Sequence, residues 1–160
     1  MRELAQYVNK ALEFTLVVIL AVMSVLVFIN VVLRYGFHSS ISMTEELSRY
    51  LFVWLTFLGA ILAFSENQHV RVTMFIDKLT EQKRKILSLF TDGLMLYCCY
   101  LILMGSWIQF QLNINNIAPI SGIPIGINFL ASLIAAIAIG LLLIARIFST
   151  LVLLIKGVNK

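Results

Sequence analysis

Three charged residues stand immediately before a long apolar run: Glu45, Glu46 and Arg49. On a helix, Glu45 and Arg49 would lie one turn apart, in the order that favours an ion pair. Both carboxylates would also fall in the first turn, where the helix dipole favours negative charge. We therefore interpret these residues as structural or subunit-interface charges.

Residues suited to catalysis or metal binding do not group elsewhere in the sequence. His38 and His69 are expected on opposite sides of a membrane, and no nucleophile–base set or phosphate-binding glycine loop is visible. Cys98 and Cys99 are neighbours in an apolar stretch, where they are interpreted as small hydrophobic side chains. We expect no catalytic site, no metal site and no cofactor, and the chain is not predicted to be an enzyme.

The composition is that of a membrane protein. The chain is 61% hydrophobic and only 12% charged, whereas soluble domains are usually about 25% charged. Its uncharged stretches are 14–33, 50–65 and 93–145, and prolines, glycines and asparagines in 111–128 divide the last one. The sequence predicts a single all-α membrane domain, residues 1–160, with four transmembrane helices at about 14–34, 43–65, 86–112 and 127–155.

The second span is long enough to cross a bilayer only if its helix includes the charged residues that precede the apolar run. Ser42-Met43-Thr44-Glu45 has the form of a capping box, in which a hydroxyl and a carboxylate satisfy backbone N–H groups at a helix start. A helix from Met43 to Ser65 would be ~34 Å long, enough to cross a bilayer. We therefore expect Glu45, Glu46 and Arg49 to stand in the headgroup layer.

One face of this second span is built from small residues. Thr56, Gly59, Ala60 and Ala63 align with Glu45 and Arg49, and Trp54 belongs to the aromatic face behind them. Small residues at spacing four let transmembrane helices approach closely. Two interpretations stay open: the stripe packs within the protein's own bundle, or the stripe or the aromatic face docks another membrane subunit.

The segment between the second and third spans has helical periodicity. Val72, Phe75, Ile76 and Leu79 recur on one face, which predicts a short amphipathic interfacial helix at about 70–79. Several basic residues are expected to contact phospholipid headgroups: Arg71, Lys78, Lys83, Arg84, Lys85 and Arg146.

Asp92 has two possible positions. If the third span begins at Gly93, Asp92 is interfacial; if the span begins near Lys83, Asp92 is buried and needs a partner.

The basic residues predict the orientation. Ten of the twelve lie in the two tails, the loop between spans two and three, or the inner end of the last span. Only Arg34 and Arg49 lie on the other side, so both termini are predicted to be cytoplasmic. A link between Arg34 and a carboxylate of the second span is also expected. The basic charge therefore reflects membrane orientation and does not indicate nucleic-acid binding.

Four segments together resemble one family, the small membrane subunit (DctQ type) of tripartite ATP-independent periplasmic (TRAP) transporters. They are NVVLRYGF (30–37), EELSRYLFVWLTFLGAILAF (45–64), HVRVTMF (69–75) and SGIP (121–124). The resemblance implies a multi-pass protein of the bacterial inner membrane. It also implies two protein partners, a large multi-span membrane subunit and a periplasmic substrate-binding protein.

The resemblance further implies a function. The complete assembly would import an organic acid, of the sialic acid or C4-dicarboxylate class, together with sodium. This chain would be the membrane scaffold for the large transport subunit. The alternative is a self-sufficient small carrier of four helices, which would need a membrane-embedded acidic residue such as Asp92.

Overall fold

The part of the chain that the structure describes forms four long helices. The computed structural model describes residues 2–37, 41–66 and 81–158, with side chains for 6–37, 41–66 and 87–152. The helices are α1 (Arg2–Gly36), α2 (Ser42–Glu66), α3 (Glu81–Asn113) and α4 (Gly126–Val158). Each contains an apolar segment long enough to cross a membrane. The prediction of an all-α protein with four transmembrane helices is confirmed.

Two helices begin earlier than the sequence pattern predicts. Helix α1 begins at Arg2, before the span predicted from about residue 14, and α3 begins at Glu81, although its apolar segment begins at Leu87, close to the predicted 86. Charged residues therefore continue the helix beyond the apolar segment, because helix formation needs no hydrophobic side chains once a span has nucleated it. The predicted interfacial helix at 70–79 lies outside the described residues.

The helices pack in a row in the order α1, α2, α4, α3. Helix α4 has neighbours on two sides because small residues, Ala131, Ala135 and Ala136, are buried on its faces. Leu143, with no exposed surface, completes its core. Helix α1 packs on α2, and no residue in its most apolar segment is buried.

This row leaves an unusually large surface. The accessible area is 11709 Å² for 18.1 kDa, whereas a compact soluble monomer of this mass exposes ~8,100 Å². Much of the exposed surface belongs to large apolar side chains, for example Phe14, Phe28 and Phe148. Such a surface requires lipid or another protein as its environment.

The loop that joins α3 to α4 is ordered by its own backbone. Gly122 has a φ of +71°, which favours glycine, and its N–H donates to the carbonyl of Ala118. Ala118 in turn donates to the carbonyl of Ile123 over 3.0 Å. At the start of α4, a Cβ on Gly126 would lie 3.0 Å from the Cα of Ile114, so the close approach of the two chains requires glycine there.

Candidate subunit interface

Helix α2 holds the α3–α4 loop through two side chains one turn apart. Glu46 is buried, and its Oε2 accepts a hydrogen bond from the backbone N–H of Ser121 over 3.0 Å. Tyr50, also buried, donates its hydroxyl to the carbonyl of Ile123 over 3.3 Å. The carboxylate and the phenol thus fix the loop against the end of the second span. Two of the family-like segments, 45–64 and 121–124, meet at this contact.

Glu45 contacts the first helix instead of its own. Asn30 on α1 donates its amide to Oε1 of Glu45 over 3.2 Å, and its Oδ1 accepts the backbone N–H of Ile41 over 3.3 Å. Within the part of the chain that the structure describes, no ion pair joins Glu45 to Arg49 or Arg34 to either carboxylate. In place of the expected ion pairs, the side-chain amide of Asn30 bonds both to the Glu45 carboxylate and to the backbone of Ile41.

The start of α2 also differs from the predicted capping box. Ser42 is already helical, and Thr44 donates its hydroxyl to the carbonyl of Ile41 over 2.6 Å. Because Asn30 satisfies the N–H of Ile41, this turn is supported from α1 as well as locally. The predicted capping box between Ser42 and Glu45 was therefore wrong, although the helix does begin at Ser42.

Asp92 and Arg146 form an ion pair inside the protein. The Nε of Arg146 lies 3.2 Å from Oδ2 of Asp92, whose side chain is only 1% exposed. Since α3 begins at Glu81, the buried alternative for Asp92 is the one observed. Arg146 contacts Asp92 because a buried carboxylate needs a compensating charge. Its side chain is still 24% exposed, and its predicted contact with headgroups stays a prediction.

Most of the small-residue stripe on α2 faces away from the protein's other helices. Thr56, Ala60 and Ala63 are exposed, and Glu45 and Arg49 at its end are exposed too. Gly59 differs: a Cβ there would lie 4.0 Å from Cδ2 of Leu16, which places it against α1.

Part of the opposite face of α2 is covered by the chain itself. Tyr50 and Ile61 are buried there, and Trp54 between them is half-buried. Arg34, at the end of α1, is exposed.

Most of the basic side chains predicted to contact phospholipid headgroups lie outside the described part of the structure. Arg71 and Lys78 lie outside the described residues. Lys83, Arg84 and Lys85 are in α3, but their side chains are outside the described set. Their contact with phospholipids stays a prediction.

Sequence analysis also missed two contacts between helices that are made by serine side chains. Ser106 on α3 and Ser132 on α4 are buried with their hydroxyl oxygens 2.7 Å apart. Asn9 on α1 accepts a hydrogen bond from Ser65 on α2 over 3.0 Å. Serines in apolar helices are the available signal, but their sequence positions do not identify their partners.

Among the described residues, no group of three metal-ligating side chains comes together. What the described geometry does show is hydrogen bonds and the Asp92–Arg146 ion pair, which join neighbouring helices.

Similarity to known proteins identifies the family. The family model for the DctQ component of tripartite ATP-independent periplasmic transporters matches residues 23–153. The chain belongs to the DctQ family. It is therefore a transporter permease subunit, which is not a class of enzyme. Together with the four apolar helices, membership supports a multi-pass protein of the inner membrane.

Three relatives cover this chain to different extents. A protein of Haemophilus influenzae, assigned by its name to the TRAP transporter small permeases, is 60% identical over 100% of this chain and 99% of its own length. The C4-dicarboxylate TRAP transporter small permease DctQ of Vibrio cholerae is 28% identical over 64% of this chain and 44% of its own. The sialic acid TRAP transporter permease SiaT of Haemophilus influenzae is 26% identical over 61% of this chain, which is only 16% of SiaT.

Proposed function

We propose that this chain is the scaffold subunit of a sodium-coupled TRAP importer for an organic acid. The observation that carries the proposal is the packing of the helices in a row with large apolar side chains exposed along it. A protein that carried a solute by itself would enclose a path between its helices. This chain instead presents broad apolar faces suited to covering by a larger membrane protein.

A large multi-span subunit is the principal partner in this proposal. SiaT supports it, because the part similar to this chain occupies only 16% of a polypeptide named as a permease. In such a protein the scaffold and a much longer segment are parts of one chain. Here the large subunit would be a separate polypeptide that binds the solute and the sodium ion. A periplasmic substrate-binding protein would deliver the solute, and phospholipids would cover the remaining apolar surface.

The names of the relatives indicate the solute class. One relative is named for C4-dicarboxylates and another for sialic acid, and both solutes are carboxylates. We therefore propose an organic acid, bound by the partners. Both termini would be cytoplasmic, which places the α3–α4 loop on the periplasmic side.

The alternative, a self-sufficient carrier, rests on Asp92, a carboxylate buried within a span. Coupled carriers use such groups to bind protons or ions. In this chain, however, Arg146 lies 3.2 Å from the carboxylate and supplies its countercharge. The pair therefore favours a structural role for Asp92.

Reconstituted transport tests the proposal. Proteoliposomes would hold this chain alone, the large subunit alone, or both, with the binding protein, labelled organic acid and a sodium gradient outside. We expect uptake only when both membrane subunits are present. Uptake by this chain alone would instead establish the carrier alternative, and uptake by the large subunit alone would remove the scaffold role.

A further inference from the structure

A groove with polar groups opens between α2 and α3. Its volume is about 590 Å³, and its walls include Val53 and Phe57 on α2 and Ile102 and Gly105 on α3. Phe129 on α4 lies at its floor. The groove exists because α2 and α3 both pack against α4, and the space between them stays open. We call this feature the α2/α3 groove.

Amide and hydroxyl groups line this groove beside the apolar walls. Oδ1 of Asn128 is buried and has no hydrogen-bond partner within the described residues. Gln109 accepts the Asn113 amide through its Oε1, 3.1 Å away, and its own Nε2 makes no hydrogen bond within the described residues. The hydroxyls of Ser106 and Ser132 bond to each other within the lining.

These groups decide which kind of molecule fits the groove. A buried amide that lacks a hydrogen bond is costly, and acyl chains have no group that could pair with it. Transmembrane helices do supply such partners, since serine, threonine, asparagine and glutamine side chains hydrogen-bond across helix interfaces. Gly105 on one wall has no atom within 4 Å of the position of a Cβ, so another backbone can approach there.

We propose that a transmembrane helix of the large permease subunit lies in the α2/α3 groove and hydrogen-bonds to the amide of Asn128. This inference rests on the proposed function, because it takes the large subunit as the partner. The SiaT relative, in which the similar segment is a small part of a longer permease, favours that occupant over a second copy of this chain. A single helix in the groove would contact α2, α3 and α4 together.

Photo-crosslinking in the intact complex tests the location. The photoreactive residue benzoylphenylalanine would replace Phe57 or Ile102 in the groove, and Phe14 or Phe148 as controls. Phe14 and Phe148 are 71% and 70% exposed on α1 and α4 and lie outside the groove. We expect groove probes to crosslink to the large subunit, identified by mass spectrometry, and control probes to give at least fivefold less of this product.

The outcomes separate the two proposals. If the large subunit co-purifies with the wild-type chain but the groove probes capture lipid, a second copy or nothing, the groove assignment is overturned and the scaffold function stands. If the large subunit does not co-purify with the wild-type chain at all, the proposed function fails and the assignment fails with it.

A substitution tests the hydrogen bond itself. Asn128→Leu removes the amide, and Asn115→Leu is the matched control, since Asn115 is exposed on the α3–α4 loop. One interhelical hydrogen bond in a membrane corresponds to a loss of roughly three- to fifteenfold in recovered large subunit. We expect that loss for Asn128→Leu alone, with the isolated variant still monodisperse. Equal recovery for the two variants would overturn the role of Asn128, and a groove crosslink would then support the location without it.

Discussion

The carboxylate of Glu46 accepts the backbone N–H of Ser121, a residue 75 positions further along the chain. The contact joins the first turn of the second span to the loop between the third and fourth. Because Tyr50 holds the same loop one turn deeper, the loop cannot rotate about a single hydrogen bond. A residue at the start of a span thus determines the position of a distant loop.

Removing this carboxylate should destabilise the protein. Glu46→Ala leaves the Ser121 N–H without its acceptor, and a buried group left unpaired costs about 1–3 kcal/mol. Glu46→Gln keeps a carbonyl acceptor and should lose less. Thermal unfolding of the detergent-solubilised chain should show a larger fall in Tm for Glu46→Ala than for Glu46→Gln. Glu45→Ala is the control, because Glu45 is exposed and bonds to a neutral amide; an equal fall in Tm for Glu45→Ala and Glu46→Ala would contradict the assignment.

The sequence was sufficient for the four spans because hydrophobicity and length determine them almost alone. It was not sufficient for the partners of the polar residues. Helix periodicity places Glu45 and Arg49 one turn apart, but it contains no information about Asn30 on another helix, which takes the carboxylate. Likewise the hydrogen bond between Glu46 and Ser121 depends on the shape of the α3–α4 loop, which requires the positive φ of Gly122.

The same limit explains Arg146. Its position near the end of a span is typical of a side chain that reaches the headgroups. The early start of α3 at Glu81 buries Asp92, and the arginine pairs with it. The choice between the two alternatives for Asp92 on one helix therefore determines the interpretation of a residue on another helix.

Breaking the Asp92–Arg146 pair should cost more than replacing it. Asp92→Leu or Arg146→Met alone removes this partner of the other charge inside the protein and should lower stability, by at most about 3–5 kcal/mol. The double variant removes both charges and should recover most of that stability. Unfolding of the four proteins gives the coupling energy of the cycle. Additive losses in the double variant would mean that the two side chains act independently.

Arg34 and Arg49 should matter in the complex more than in the isolated chain. Both are exposed, so Arg34→Ala or Arg49→Ala should leave the Tm of the isolated chain nearly unchanged. If a partner subunit covers these charges, each variant should lower co-purification or uptake more than Lys83→Ala does. Equal yields and rates for all three variants at matched expression would identify the two arginines as headgroup anchors only.

The segment at 70–79 should lie along the cytoplasmic surface of the membrane. Its periodic apolar residues would enter the interface, and each basic residue nearby would add about 1 kcal/mol of attraction to anionic headgroups. A nitroxide spin label at Phe75 should be shielded from a water-soluble relaxation agent, whereas a label at Lys78 should be accessible to it. Equal accessibility at the two positions would show that the segment is not amphipathic at the membrane.

The α3–α4 loop should be periplasmic. Ten basic residues on one side against two on the other predict it, and a cysteine at Ser121 can report it. Ser121→Cys would be made in a chain with Cys98 and Cys99 replaced by alanine, and its backbone N–H would still be available to Glu46. A membrane-impermeant maleimide should label this cysteine in intact spheroplasts, and should label Lys160→Cys only after permeabilisation. Labelling of Lys160→Cys in intact spheroplasts, with Ser121→Cys protected until lysis, would reverse the orientation. The loop that Glu46 holds would then face the cytoplasm, out of reach of a periplasmic binding protein.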